Sequence, residues 1–278
     1  MANITAAEVN KLRQMTGAGM MDCKQALVEC EGDYEKAIDF LRKKGQKVAN
    51  KRADRETSEG LVIAKTSEDA RFGIITMLNC ETDFVAKNQE FIDLANAIAS
   101  LSLEHKPKTL DELKNIKINE RAIAEHVSDY MGKTGEKIEL NEYQFIEAPR
   151  VFVYNHMGNK LASMLGFNKS EGKDIDQFGK DIAMQIAAMS PVAIDKESVD
   201  PSIIEREIEI GKEQARAEGK AEEMLEKIAL GKLNKFFKES TLLNQEFIKD
   251  SKKNVGQYLM ECDKDLKITG FKRVSVKN

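Results

Sequence analysis

The residue types that most often carry chemistry in proteins are scattered along this 278-residue chain. His105, His126 and His156 do not have the spacing of a metal site, and the four cysteines form no Cys-x-x-Cys pair. The sequence has neither a Gly-x-x-x-x-Gly-Lys-Ser/Thr loop nor a Gly-x-Gly-x-x-Gly turn. We therefore expect no catalytic centre, no metal site and no cofactor, and the sequence favours a binding protein over an enzyme.

One short segment stands out because the sequence pattern changes there from strand to helix. Residues 82–88 read Thr-Asp-Phe-Val-Ala-Lys-Asn. The residues before them are apolar and β-branched and predict a strand. The residues after them are apolar at helical spacing, with Asn88 as a candidate helix cap. Asp83 and Phe84 are then expected at a strand-to-helix corner, where a rigid frame can present an acid and an aromatic ring to another molecule.

The pattern leaves two interpretations of Phe84 open. Phe84 precedes Phe91 by seven residues, so a helix that begins early would place both rings in one buried seam. Burial is the usual state of an apolar side chain. A helix that begins later would leave Phe84 exposed as a contact residue.

The composition predicts a folded protein of two or three domains. The chain is 41% hydrophobic and 32% charged, and its formal net charge is −4, which argues against a dedicated nucleic-acid-binding protein. No apolar run approaches the ~20 residues that a membrane span needs, and the N-terminus has no signal-peptide pattern. The lack of such a run predicts no membrane partner, and the cysteines are expected to be reduced thiols, which predicts a cytoplasmic protein.

Residues 42–55 form a strongly basic segment, with seven Lys or Arg side chains and a single acid, Asp54. One interpretation is a solvated helix end followed by a linker, because charged runs usually face water. The alternative is an RNA-binding arm of a translation accessory protein. That alternative is weakened because the segment has no aromatic side chain on which bases can stack. Nucleic acid is therefore not the expected partner.

The order of predicted elements indicates an α+β fold in four parts. Residues 1–56 predict an N-terminal three-helix bundle and basic linker. A strand hairpin followed by a helix occurs in 57–148 and again in 149–190, the latter completed by 231–278, which predicts two α/β core subdomains with antiparallel strands. Residues 191–230 predict an inserted helical hairpin arm, which is a candidate homodimer contact.

Several helix boundaries are predicted from single residues. Thr5 and Glu8 form a capping box for the first helix. Asp22 is a candidate cap for the second helix, and Gly45 a candidate end for the third. Residues 109–132 are expected to be helical throughout, and Ser202 with Glu205 predicts a capping box at the start of the arm, whose second helix is expected over 221–230.

Two long motifs resemble the signatures of the bacterial translation elongation factor Ts family. Residues 12–27 read Leu-Arg-Gln-Met-Thr-Gly-Ala-Gly-Met-Met-Asp-Cys-Lys-Gln-Ala-Leu, and residues 78–87 read Leu-Asn-Cys-Glu-Thr-Asp-Phe-Val-Ala-Lys. Shorter matches continue as far as Gly-Phe-Lys-Arg at 270–273, so the resemblance covers nearly the whole chain. It implies a guanine nucleotide exchange factor for the GTPase elongation factor Tu in translation elongation.

The resemblance also implies which residues contact the GTPase. The N-terminal bundle is expected to be ubiquitin-associated-like and to bind through Leu12, Met20, Met21 and Lys24. Asp83 and Phe84 are expected to insert near the nucleotide and magnesium site, and the stretch of Thr82, Asp83, Phe84 and Val85 is associated with magnesium displacement. With the resemblance, an exposed Phe84 is the favoured interpretation.

The sequence departs from the family pattern in two places. The family hairpin has a histidine, here His156, that is expected to touch the partner, and Asn159 replaces its second glycine. Asparagine tolerates left-handed backbone geometry, so the turn is expected to survive. Many members have a further C-terminal helix that contacts the GTPase. The printed sequence ends at Asn278, after the last predicted strand, so we expect that contact to be missing.

Overall fold

A computed structural model describes residues 4–276 of the chain, except for the side chains of Ala49 and Asn50. It confirms a mixed α+β fold with antiparallel sheets. The helices are α1 Ala6–Thr16, α2 Met20–Glu29, α3 Tyr34–Lys51, α4 Asp83–Ala86, α5 Gln89–His105, α6 Leu110–Asn115, α7 Ile123–Thr134, α8 Ile175–Met189, α9 Pro201–Ala217, α10 Glu222–Ser240 and α11 Val255–Cys262. The strands are β1 Glu59–Thr66, β2 Phe72–Cys80, β3 Lys117–Ile118, β4 Arg121–Ala122, β5 Glu139–Glu147, β6 Arg150–Asn155, β7 Leu161–Phe167, β8 Glu246–Phe247, β9 Asp250–Asn254 and β10 Ile268–Ser275.

Two three-stranded sheets, ordered β1-β2-β5 and β10-β7-β6, form the centre of the molecule. Successive side chains of a strand point to opposite faces. On β1, Leu61 and Ile63 therefore join the core beneath α5, whereas Val62 and Ala64 join an apolar layer that also contains Met164 of β7. The two sheets consequently pack on each other through this shared layer, with α5 covering one outer face and α8 the other.

The N-terminal segment forms three packed helices, and its predicted capping box is present. The hydroxyl of Thr5 accepts a hydrogen bond from the backbone of Glu8, whose carboxylate accepts from the backbone of Thr5. The prediction that Asp22 caps the second helix is wrong. Helix α2 already begins at Met20, so Asp22 lies within its first turn and pairs with Lys44 at 2.6 Å.

The prediction that the third helix ends at Gly45 is also wrong, because α3 continues to Lys51. Gly45 is buried where α3 crosses α7. A Cβ at Gly45 would lie 2.8 Å from the carbonyl oxygen of Ser128, and a Cβ at Gly132 would lie 2.9 Å from the Cα of Gly45. This glycine therefore permits a close helix crossing instead of ending a helix, and most of the predicted basic linker is helical.

The helix predicted over 109–132 is interrupted. Helices α6 and α7 are separated by the short hairpin β3–β4, whose turn residues Asn119 and Glu120 have φ of 47° and 69°. Non-glycine residues seldom adopt this left-handed geometry, so the residue types at the turn do not predict a break in the helix.

The helical arm is longer than predicted. Its second helix, α10, runs without a break to Ser240, so the predicted boundary between 230 and 231 falls inside a helix. The first helix of the arm is capped by Asp200, whose carboxylate accepts from the backbone of Ser202 at 2.8 Å, and the predicted Ser202/Glu205 box is wrong. Within residues 4–276, no helix is sufficiently long and apolar for a membrane span.

Candidate protein-binding site

The segment between β2 and α5 folds as a single helical turn, α4, that divides its side chains between the core and the surface. The hydroxyl of Thr82 caps the turn by accepting from the backbone N–H of Val85 at 3.5 Å. Val85 packs on the core and Ala86 is buried. Phe84, by contrast, is 82% exposed.

Phe84 is exposed because α4 ends at Ala86 and a separate helix, α5, begins at Gln89. Asn88 caps α5 as predicted, by accepting from the backbone of Glu90 at 2.9 Å. Phe84 therefore lies on α4 and Phe91 on α5, and the two rings do not share a helical face. The buried-seam interpretation of Phe84 is wrong, since only Phe91 is in the core.

Asp83 lies beside Phe84 and is charged. The ammonium group of Lys87 donates to its carboxylate at 2.6 Å, one helical turn away. This hydrogen bond and the positive charge behind it hold the pKa of Asp83 below its ordinary value. The exposed face of α4 thus presents an anionic group next to an aromatic ring.

A carboxylate from a distant part of the sequence holds the start of α4. Glu136, which follows α7, accepts from the hydroxyl of Thr82 at 2.7 Å and from its backbone N–H at 3.1 Å. The carbonyl oxygen of Thr82 accepts from the thiol of Cys80 at 3.2 Å. The residue that carries the exposed pair is therefore fixed to the framework through its side chain and both of its backbone polar groups.

His156 lies on the β6–β7 hairpin, and the structure places it at the surface. The hydroxyl of Tyr154 lies 3.0 Å from its Nδ1 atom, which orients the ring. Gly158 and Asn159 have φ of 82° and 52°, so Asn159 adopts the left-handed geometry expected of it. Met157, at the tip, is 90% exposed.

The hairpin is attached to the sheet that carries α4. The backbone of Val62 donates to the carbonyl of Asn159 at 2.7 Å, and the Asn155 side chain bonds both backbone groups of Ala64 at 2.8 and 3.0 Å. Lys160 pairs with the carboxylate of Glu59. Because Glu59 is the β1 residue opposite Cys80, the hairpin and the start of α4 lie at the same end of this sheet.

In the N-terminal bundle, Met20 and Met21 are exposed at the surface, whereas Leu12 is buried. Met20 and Met21 are 48% and 73% exposed, and Lys24 lies beside them on the surface. Leu12 is fully buried among the three helices. The expectation that the Leu12 side chain contacts a partner is therefore wrong for this structure, in which Leu12 supports the helices that carry the methionines.

The histidine, cysteine and acidic side chains of the described residues are dispersed. Between residues 4 and 276, no three His, Cys, Asp or Glu side chains are grouped closely enough to hold a metal. The four cysteines are free thiols, and burial raises the pKa of Cys80 to about 12, so this thiol is protonated at neutral pH. The surface presents exposed apolar side chains on turns that hydrogen bonds hold in place, an arrangement typical of protein contacts.

Known proteins resemble this chain along nearly its whole length. A model of the family described as elongation factor TS matches residues 81–278. The chain is 53% identical to elongation factor Ts of Cytophaga hutchinsonii over 99% of this chain and 100% of that protein. It is 51% identical to elongation factor Ts of Amoebophilus asiaticus over 98% of this chain and 99% of that protein. The chain belongs to the elongation factor Ts family.

Membership of the elongation factor Ts family makes this protein a translation elongation factor. The family model begins at residue 81 and so includes the α4 turn and the hairpin. The N-terminal bundle lies before the start of that match, but the full-length relatives cover it. Elongation factor Ts of Porphyromonas gingivalis, 48% identical over 98% of each chain, extends this agreement to a further relative.

For this elongation factor Ts family member, the sequence did not point to Glu136 or to the exposed Met157. Glu136 follows Thr82 by 54 residues, and no local pattern relates them. A signal for Met157 was available in the turn itself, because an apolar residue at a hairpin tip has no core to enter. The family motif drew attention instead to the neighbouring histidine.

Proposed function

We propose that this protein is a guanine nucleotide exchange factor that promotes GDP release from elongation factor Tu. The observation that carries the proposal is Phe84, which is 82% exposed on a capped helical turn next to the ionised Asp83. An aromatic ring held outward by a rigid turn fits the pattern of a binding hot spot. Family membership supplies the partner, because the protein belongs to the elongation factor Ts family.

The proposed mechanism is coupled binding. If the factor binds the GTPase more tightly when nucleotide and magnesium are loosened, it must lower nucleotide affinity by the same factor. Burial of a ring such as Phe84 in a partner pocket contributes about 1.5–3 kcal/mol. A tenfold change in affinity needs about 1.4 kcal/mol. One ring can therefore change nucleotide affinity by about one or two powers of ten, and a larger change needs a wider interface.

The α4 turn acts at the nucleotide site in this proposal. Phe84 inserts as a wedge, with Asp83 beside it, and Thr82 and Val85 hold the turn by capping it and by packing on the core. Loss of magnesium leaves the negative charges of the diphosphate without their counterion, so GDP leaves more easily.

The wider interface in this proposal includes two further surfaces. Met20 and Met21 of the bundle are exposed and adaptable, as methionines at binding surfaces often are, with Lys24 beside them. His156 is held at the surface by Tyr154 on the hairpin beside α4. These contacts would supply affinity, and the α4 turn would supply the displacement of the nucleotide.

We infer that the protein works by binding in the cytoplasm, without a covalent step or a resident cofactor. The alternative RNA-binding function is weakened because three of the seven basic side chains of the segment, Arg42, Lys44 and Arg52, each pair with a carboxylate of this chain. RNA binding through that segment would fall steeply with salt. Homodimerisation through the helical arm stays a prediction, which sedimentation over a range of concentrations tests.

The test of the proposal is the Phe84→Ala variant. Release of labelled GDP from elongation factor Tu is measured in stopped flow as a function of factor concentration. We expect exchange to fall by about tenfold or more, because the lost ring removes about 1.5–3 kcal/mol of contact. Folding should be intact, since the ring lies outside the core.

Met260→Ala is the matched control. Met260 is 65% exposed on α11 and belongs to none of the proposed contact surfaces, so its truncation should leave exchange unchanged. If the unmodified protein leaves GDP release at its spontaneous rate, the proposed function is refuted. Equal activity of the Phe84→Ala variant and the unmodified protein would refute the role of the wedge.

A further inference from the structure

Two pairs of adjacent residues, Glu81-Thr82 and Glu136-Lys137, hold each other by reciprocal hydrogen bonds. Glu136 accepts from the backbone and the hydroxyl of Thr82 at 3.1 and 2.7 Å. Glu81 accepts from the backbone N–H of Lys137 at 2.6 Å. We call these four residues the clasp. It joins the end of β2 to the segment between α7 and β5.

The clasp fixes the direction of the Thr82 hydroxyl. The Thr82 hydroxyl donates to a carboxylate oxygen of Glu136 at 2.7 Å, so the hydroxyl proton points to this carboxylate. The oxygen lone pairs are then free to accept from the backbone N–H of Val85, which is the cap of α4. A helix of four residues has almost no stability of its own, so its cap decides whether the turn persists.

The clasp also extends to the N-terminal bundle. Arg52, which follows α3, places its Nη1 atom 2.8 and 2.7 Å from the two carboxylate oxygens of Glu81. The ammonium group of Lys137 donates to the carbonyls of Ala53 and Arg55 at 2.9 and 3.2 Å. The Arg52 bonds tie the end of the long helix α3 to Glu81, the residue directly before Thr82. The Lys137 bonds tie the residues that follow α3 to the other pair of the clasp.

We propose that Glu136 and Arg52 are positioning residues of the exchange factor, Glu136 for the Phe84 turn and Arg52 for the bundle relative to that turn. The inference rests on the proposed function. A partner that must meet the bundle and the turn together gains from a fixed distance between them, because the second contact is then made at high effective concentration. The clasp joins these two surfaces, in addition to the crossing of α3 over α7.

The two residues should therefore affect different kinetic parameters. Glu136→Gln replaces one acceptor oxygen with a donor, so it cannot accept both bonds from Thr82, and the turn loosens. We expect the maximal rate of GDP release to fall at least about threefold. Arg52→Gln removes the bond between bundle and turn, and we expect the half-saturating factor concentration to rise at least about threefold at nearly constant maximal rate.

The experiment measures GDP release from elongation factor Tu in stopped flow against factor concentration for both variants. Glu104→Gln and Arg42→Gln are the matched controls. Glu104 is exposed on α5, and Arg42 lies on α3 in an exposed pair with Asp39. Circular dichroism and thermal midpoints verify folding. Glu136→Asp, whose shorter carboxylate cannot reach both Thr82 donors, replaces the glutamine variant if that variant fails to fold.

A double-mutant cycle with Phe84→Ala separates positioning from general destabilisation. If Glu136 acts through the turn, Glu136→Gln should have no further effect on the maximal rate once the ring is absent. Additive losses in the cycle, or unchanged kinetics in both clasp variants while Phe84→Ala is impaired, would overturn this inference and leave the proposed function intact. If the Phe84→Ala variant exchanges GDP normally, the role of Phe84 as a wedge is refuted, and with it the positioning role of the clasp.

Discussion

Asp83 and Asp181 are both carboxylates paired with a lysine, yet their surroundings give them different roles. Asp83 is half exposed on α4, and its partner Lys87 is largely in solvent. Asp181 is 4% exposed on α8, where it accepts from Lys249 at 2.6 Å, from Gln177 at 2.8 Å and from Tyr258 at 2.8 Å. Asp83 is therefore available to a partner, whereas Asp181 joins α8, α11 and the β8–β9 turn inside the fold.

We expect Asp181→Asn to lower the free energy of unfolding at pH 7 by about 1.5–3 kcal/mol, the range for hydrogen bonds to a charged group. An amide keeps the acceptor for Lys249 but faces the hydroxyl of Tyr258 with a donor. Urea unfolding measures the change. Asp54→Asn, an exposed acid on the surface, is the control and should leave stability unchanged.

The same carboxylate predicts a pH dependence. Burial opposes ionisation of Asp181, but the bonds from Lys249, Gln177 and Tyr258 outweigh it and lower its pKa. The folded pKa is thus below the unfolded value of about 3.9. Its stabilisation is present above about pH 5 and is lost as the pH falls through the folded pKa. The stability difference from Asp181→Asn should shrink on acidification, and a difference independent of pH would contradict this account.

At the scale of elements, the crossing of α3 over α7 shows that a glycine inside a helix can be a packing residue. Gly45 and Gly132 face each other there, and neither position has room for a Cβ. The close approach lets the end of α3 reach the clasp, where Arg52 meets Glu81. The placement of the bundle therefore depends on the lack of a side chain at two positions.

Gly45 and Gly231, both within helices, make a matched pair for testing the packing role of Gly45. Gly45→Ala gains about 1 kcal/mol in helix propensity but places a Cβ 2.8 Å from a backbone oxygen, and overpacking of this kind costs about 1–3 kcal/mol. We expect a net loss of stability. Gly231→Ala in α10 meets no atom within 4 Å and should gain about 1 kcal/mol. Denaturant unfolding of both variants measures this, and a stabilised Gly45→Ala would contradict the packing role.

At the scale of the molecule, the two sheets share one apolar layer, so neither sheet has a complete core alone. Val62 and Ile75 from one sheet meet Ala162 and Met164 from the other, and all four are buried. The pseudo-repeat of hairpin and helix therefore does not create two independent units. The division at residues 148 and 149 stays a sequence prediction, and the shared layer joins its two sides.

We expect Ile75→Ala to destabilise both sheets together. Truncation of a fully buried isoleucine costs about 2–5 kcal/mol, and here the cavity opens between the sheets. Hydrogen exchange should therefore accelerate by a similar factor in the amides of β1 and of β7. Val28→Ala, a partly exposed position on α2, should leave both unchanged. Faster exchange confined to the β1-β2-β5 sheet would show that the two sheets unfold separately.

Much of the fold and of the site follows from the sequence by itself. Local capping rules identified Thr5 and Asn88 as helix caps. These features depend on neighbours within a few residues, which a sequence shows directly. The two family motifs likewise contain the α4 turn and the exposed Met20 and Met21, because each motif is one continuous stretch of chain.

Only the tertiary structure decided which of the named side chains face outward. Phe84 and Leu12 are both apolar residues in family motifs, yet Phe84 is 82% exposed and Leu12 fully buried. The difference arises because α4 ends before α5 begins, whereas α1 packs its Leu12 face against two other helices. The hydrogen bonds of Thr82 with Glu136 and the crossing at Gly45 depend in the same way on segments far apart in the chain, so no local pattern contains them.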